Sequence, residues 1–188
     1  KKPRQATPKT APIDQPVDAP RETIDQYSGP ERRIDLFKRK KISEMSEDEM
    51  RAELQTSDVT GIKNRRAYED SERKPVQVSI DADALKWVND HMGPAVGDQL
   101  LREIGKTIEE TTANGYHISG DEFVIEADST EEAASIMDKV NSRLRRATIT
   151  AQKPDGTKYI KQGLEVTHAT GQTKDSADYA LKQAKVYR

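Results

Sequence analysis

Apolar and polar positions follow two different periods along this chain, and the changes between them mark its elements. Val96, Leu100, Ile104 and Ile108 recur every fourth position with Leu101 beside them, which predicts one buried helix stripe reaching to about Glu110. A second stripe, Ala133, Ile136, Met137, Val140 and Leu144, follows a capping box made by Ser129 and Glu132. The last helix is predicted over Ser176 to Lys185, with Ala177, Ala180, Leu181 and Ala184 inward. Period two governs Val76, Val78 and Ile80, which alternate with Gln77 and Ser79 and predict a strand that delivers Asp81 at its end. Two apolar runs around Ser119-Gly120-Asp121-Glu122 predict a hairpin over Tyr116 to Glu126 with two carboxylates at its tip and Gly120 as the turn residue. Lys153-Pro154-Asp155-Gly156 predicts a turn joining Thr148–Ala151 to Lys158–Ile160, and Leu164 to Thr167 one further strand. Arg65-Arg66 open a helix towards Glu72, closed before Pro75. Hairpins interleaved with helices predict an α/β or α+β class, with helices covering a largely antiparallel sheet.

The first 56 residues carry a different pattern. Prolines at positions 3, 8, 12, 16, 20 and 30, with almost no large apolar residues, predict a tail or linker over residues 1–30. Residues 31–56 read as a helical linker in two pieces, the second started by Ser46 and Glu49, with Met45 placed to staple onto Met50. The basic run Lys38 to Lys41 reads as a solvated helix face. No apolar run approaches the roughly 20 residues of a membrane helix, and no signal-peptide pattern opens the chain. The chain has no cysteine, which excludes a disulfide framework and thiolate metal sites and suits a cytoplasmic location. A net charge of −2 gives no case for a nucleic-acid partner. The chain begins at Lys1 rather than methionine, which leaves room for an upstream sensor or membrane segment.

Oxygen ligands dominate the candidate chemistry. Asp81-Ala82-Asp83 at a strand end suits a hard divalent cation, and it equally suits capping of the short helix that follows. Asp98, near the start of its helix, suits capping in the same way. His91, His117 and His168 read as structural or surface residues, and Trp87 as packing.

Four blocks stand in one order: Asp58-x-Thr-Gly-x-x-Asn-Arg-Arg, Asp81-x-Asp-x-x-Lys-x-x-Asn-Asp with Gly97-Asp98, Ser119-Gly-Asp-Glu-Phe, and Ala177-Asp-x-Ala-Leu-x-x-Ala-Lys185. Together they resemble the GGDEF domain family, the diguanylate cyclases, over residues 57–188. The resemblance implies a five-stranded central sheet wrapped by helices, akin to the palm of nucleotidyl cyclases. It implies an enzyme that condenses two GTP molecules to cyclic di-GMP and pyrophosphate across a head-to-tail homodimer, with two Mg²⁺ per GTP site or Mn²⁺ in their place. Carried over position by position, Asp81, the Ala82 carbonyl and Asp121 match metal ligands. Glu122 matches the second signature acid, at the metal or activating the attacking hydroxyl. Asn89 and Asp98 match the guanine readers, and Lys86 and Lys185 the phosphate-contacting lysines. Asp98, a carboxylate suited to guanine N1–H and N2–H₂, argues against ATP as substrate.

The sequence also departs from the family pattern. Ser119 replaces the first signature glycine, at an expected cost in backbone freedom. Ala84-Leu85 replace bulkier residues near the phosphates, Pro94 stands where a histidine often follows Gly93, and the link from Tyr68 to Val76 is short. The strand near Leu164 lacks the usual Ser-x-Gly, and the chain ends at Arg188, before the Gly-Arg that often follows the lysine. Glu110-Thr111-Thr112-Ala113 occupies the place of the family's Arg-x-x-Asp product-inhibition site, which implies activity without strong feedback by that route. The alternative function is an inactive GGDEF-like domain that binds GTP as a regulatory or protein-interaction module.

Overall fold

In a computed structural model of the chain, described over residues 42–153 and 155–186, the two periods sort into a five-stranded sheet, a separate hairpin and six α-helices. In chain order these are α1 (Glu47–Leu54), β1 (Lys63–Asn64), α2 (Arg65–Asp70), β2 (Val76–Ala82), α3 (Leu85–Met92), α4 (Pro94–Glu109), β3 (Gly115–Ser119), β4 (Glu122–Ala127), α5 (Thr130–Leu144), β5 (Thr148–Gln152), β6 (Lys158–Gln162), β7 (Val166–Gly171) and α6 (Lys174–Val186). The proline-rich stretch and the helical linker up to residue 41 lie outside the described residues, and the rest of its first piece forms one 3₁₀ turn over Ile42–Glu44. The sheet runs β1-β3-β4-β2-β7; β1 lies parallel to β3 and every other pair is antiparallel. The class, strand number and largely antiparallel pairing match the expectation.

Strand β2 is central, paired with β4 on one side and β7 on the other. All seven of its residues are buried, the polar ones included. Val76, Val78, Ile80 and Ala82 join α4, α5, Phe123 and Ile125 in the main core. Each fully buried Val, Ile or Leu there stabilises the fold by roughly 1.5–3 kcal/mol. Gln77, Ser79 and Asp81 have helices over them instead. Burial obliges these polar groups to find partners: the Gln77 carbonyl accepts from Tyr68 Oη (3.1 Å), its amide donates to Glu126 (3.0 Å), and Ser79 donates to Asp178 of α6. A second cluster of Ala67, Tyr68, Tyr116, Ile118 and Val124 packs on this side, with Tyr68 and Tyr116 edge to face at 5.3 Å.

Element ends differ from the sequence reading where long-range contacts intervene. Strand β2 runs one residue past Asp81, because Ala82 still pairs with Val166. Helix α2 stops at Asp70, short of Glu72, where the Ser71 hydroxyl takes the Tyr68 carbonyl. Strand β7 begins at Val166; Leu164 before it is buried and donates its N–H to the Leu144 carbonyl, so it closes the end of α5 instead of pairing in the sheet. Ala177 and Leu181 of α6 are buried as expected, but Ala184 is exposed. The β5–β6 hairpin forms as predicted and stands as its own two-stranded sheet, with Ile149 and Ala151 inward.

Candidate active site

The end of β2 and the tip of the β3–β4 hairpin meet through the backbone. Asp81 lies opposite Glu122 in the β2–β4 register, and the Ala82 N–H donates to the Asp121 carbonyl at 2.9 Å. Gly120 makes the turn with φ of +48°, and a register shift between His117 and Ser119 tightens it. Ser119 sits at the end of β3 without a positive φ; among the described residues Ala84 alone of the non-glycines has one. The serine therefore needs no left-handed backbone, contrary to the expected cost, and its hydroxyl donates to Glu122 at 3.2 Å.

Asp81 is 8% exposed and paired with the Lys185 ammonium from the end of α6. Burial pushes its carboxyl above the usual range; Lys185 opposes the shift, and the charges of Asp121 and Asp83 add to it. Helix α6 is held in place for this contact. Asp178 accepts from Ser79 of β2 and pairs with Lys174, and a Cβ on Gly171 would come within 2.3 Å of Ser176 Oγ, so β7 and α6 touch at backbone distance. Neither Asp81 nor Asp83 caps α3. Its N-cap is Ala84, left-handed at φ +63° with no side-chain cap, while Asp83 accepts from Thr167 Oγ1 at 2.6 Å.

The α3–α4 pair carries the other expected residues. Asn89 lies flush on Gly97: a Cβ there would stand 1.9 Å from Asn89 Oδ1. This contact sets Asn89 beside Asp98, the next residue of α4, and Asp98 pairs with Arg102 at 3.6 Å. Lys86 is exposed and paired with Asp90 of its own helix at 2.7 Å. Among the described residues no three carboxylates or imidazoles converge as a metal cluster. The donors suited to a hard cation are the two carboxylates and carbonyls at the β2 end, where Asp81 already holds a cationic partner in Lys185.

Sequence reading missed several partners. His117 is buried between Ser57 Oγ (2.8 Å) and the Gly120 carbonyl (3.0 Å), and Phe123 tilts against its ring at 4.8 Å. Ser79 and Asp178 were equally silent. The only available signal was a polar residue inside an apolar strand. His91, in contrast, stacks on exposed Trp87 at 4.6 Å, and burial holds half-buried His168 below the usual histidine range against the pull of Asp138.

This fold is shared with solved GGDEF domains. The coiled coil and GGDEF domain of DgcB from Caulobacter crescentus, in complex with c-di-GMP, superposes with a TM-score of 0.58 at 18% identity, over 73% of this chain and 84% of that one. Diguanylate cyclase SiaD of Pseudomonas aeruginosa, in complex with its activator SiaC, gives 0.56 at 23% identity, over 73% and 60%. Such identities establish the fold alone. The family model for the diguanylate cyclase GGDEF domain matches residues 56–187, and the chain belongs to the GGDEF family. Similar curated proteins include uncharacterized protein YhcK of Bacillus subtilis (29% over 114 residues, 52% of this chain and 32% of that protein). Others are the cyclic di-GMP phosphodiesterase PdeR of Escherichia coli (30%, 53% and 17%) and the diguanylate cyclase DgcS of Shewanella oneidensis (31%, 51% and 37%). The chain thus spans between 17% and 37% of the length of these three relatives. No helix among the described residues is long and apolar enough to cross a membrane.

Proposed function

We propose that the domain is a diguanylate cyclase, condensing two GTP to cyclic di-GMP and pyrophosphate in a head-to-tail homodimer. The observation that carries this reading is the backbone tie from Ala82 to Asp121, which sets the Asp81 and Asp121 residues at one end of the sheet with Lys185 beside them. Asp81, the Ala82 carbonyl and Asp121 would hold Mg²⁺, or Mn²⁺ in its place, and the metal supplies charge neutralisation at the phosphates when bound. Lys185 and Lys86 bind triphosphate oxygens as point charges once released from Asp81 and Asp90. Asn89 and Asp98 read the guanine edge. Glu122 serves at the metal or as acceptor of the hydroxyl proton, and Ser119 orients it.

One domain provides half of a reaction centre, so rate depends on pairing, and the segment over residues 31–56 couples that pairing to an upstream input. Glu110 is engaged with Arg143 at 2.8 Å, and the stretch to Ala113 carries no arginine, so feedback through the Arg-x-x-Asp route is absent. A second reading, a GTP-binding regulatory or interaction module, draws support from Lys86 being turned to Asp90 and from the small Ala84 near the phosphates. Incubation of a dimerised sample with GTP and Mg²⁺, with separation of the products, decides between them: cyclic di-GMP is expected, and GTP binding without product would establish the second reading.

A further inference from the structure

We propose that His117 is a positioning residue that couples the loop after α1 to the signature turn, and so sets where Asp121 stands. The inference rests on the cyclase reading of that turn. A carbonyl oxygen only accepts, so the contact of 3.0 Å to Gly120 places the proton on His117 Nε2. In the neutral ring Nδ1 is then an acceptor, and the Ser57 hydroxyl donates to it at 2.8 Å. Ser57 Oγ in turn accepts the Thr60 N–H at 3.3 Å, so each member of the chain has one defined role.

The two ends of this chain belong to different parts of the molecule. Ser57 lies three residues beyond α1 and is itself buried. Asn64 ties its surroundings together: its side-chain amide donates to the Leu54 and Thr56 carbonyls at 2.9 and 3.0 Å, and its Oδ1 caps α2 through the Ala67 N–H. Asn64 also pairs with His117 across the parallel β1–β3 register. At the other end, His117 is the last regularly paired residue before the register shift that precedes the turn, and Phe123, its partner in β4, lies against the ring. A cavity of about 490 Å³ opens between Leu54, Arg65, Arg66, Glu69 and this histidine. It leaves space for the end of α1 to move against the Ser57–His117 pair. Displacing Ser57 therefore shifts the Gly120 carbonyl, and the residue after it is Asp121.

The test compares Ser57→Ala, which removes the two hydrogen bonds of the Ser57 hydroxyl from a folded domain, with His117→Ala. In Ser57→Ala the amide resonances of Gly120, Asp121 and Glu122 move and their exchange quickens about tenfold, while those of α5, remote from the pair, stay fixed. Turnover falls about tenfold in Ser57→Ala and about a hundredfold in His117→Ala, with KM for GTP within about twofold, because the base-reading helices are untouched. Unmoved turn resonances in folded Ser57→Ala would overturn the proposal. Moved resonances in a protein whose wild type makes no cyclic di-GMP would uphold the coupling and sink only the cyclase reading.

Discussion

The two halves of the site are built by different means. At the sheet end, Asp81 and Asp121 are placed by ladder pairing, a backbone hydrogen bond and the contact of the buried Asp81 carboxylate with the exposed Lys185. On the α3–α4 pair, Asn89 and Asp98 are placed by one close approach over Gly97, and Lys86, Asp90, Asp98 and Arg102 remain largely solvated. Strand pairing fixes a position through many cooperative bonds, whereas a helix pair fixes it through packing that a single atom can upset. The acid half is thus preorganised, and the helix-pair half adapts.

The largest expected effect lies in the rigid half. Asp121→Ala lowers turnover about a thousandfold, equivalent to about 4 kcal/mol at the transition state, while the melting temperature stays nearly constant. Turnover within about tenfold of wild type would remove Asp121 from the chemistry. In the adaptable half, Gly97→Ala displaces the Asn89 amide and raises KM for GTP about tenfold, about 1.4 kcal/mol, with kcat little changed. A fall in kcat alone would show that the helix pair positions more than the base.

Titration of the metal-free protein separates the halves again. Burial raises the Asp81 carboxyl, so between its usual value of about 3.9 and its raised value the native state binds the extra proton. That contribution to stability is present at low pH and is lost as pH rises through the native pKa. Asp81→Asn therefore flattens the pH dependence of unfolding in this window, and an unchanged profile in denaturant melts would refute the assignment. The smallest effect belongs to Ala84. Its left-handed backbone costs about 1 kcal/mol or more, and Ala84→Gly recovers about 0.5 kcal/mol of stability after the added freedom of the unfolded chain.

Periodicity made most of the fold legible. The stripes of α4 and α5 and the acidic turn are local patterns, and each stands where the sequence put it; Ser129 caps α5 through the Glu132 N–H, but the Glu132 carboxylate takes the Asp128 N–H, so the predicted box does not close on Ser129. What stayed hidden depends on partners far along the chain. Nothing local to Gln77 and Ser79 announces that Tyr68, Glu126 and Asp178 cover them. The left-handed Ala84 carries no sequence mark, since alanine at a helix start looks ordinary. His117 read as structural, which is right as far as burial goes, but its two contacts join residues 60 positions apart to the turn beside it. The metal-ligand, base and phosphate roles rest on resemblance to a family.

Helix α1 buries no residue, yet its capping box closes fully: Ser46 and Glu49 exchange hydrogen bonds at 2.9 and 3.2 Å. A helix that organises its own first turn and owes nothing to the core behaves as a detachable coupling. Its first turn can therefore stay formed while the helix moves about its Leu54 end, where Asn64 holds it to the domain.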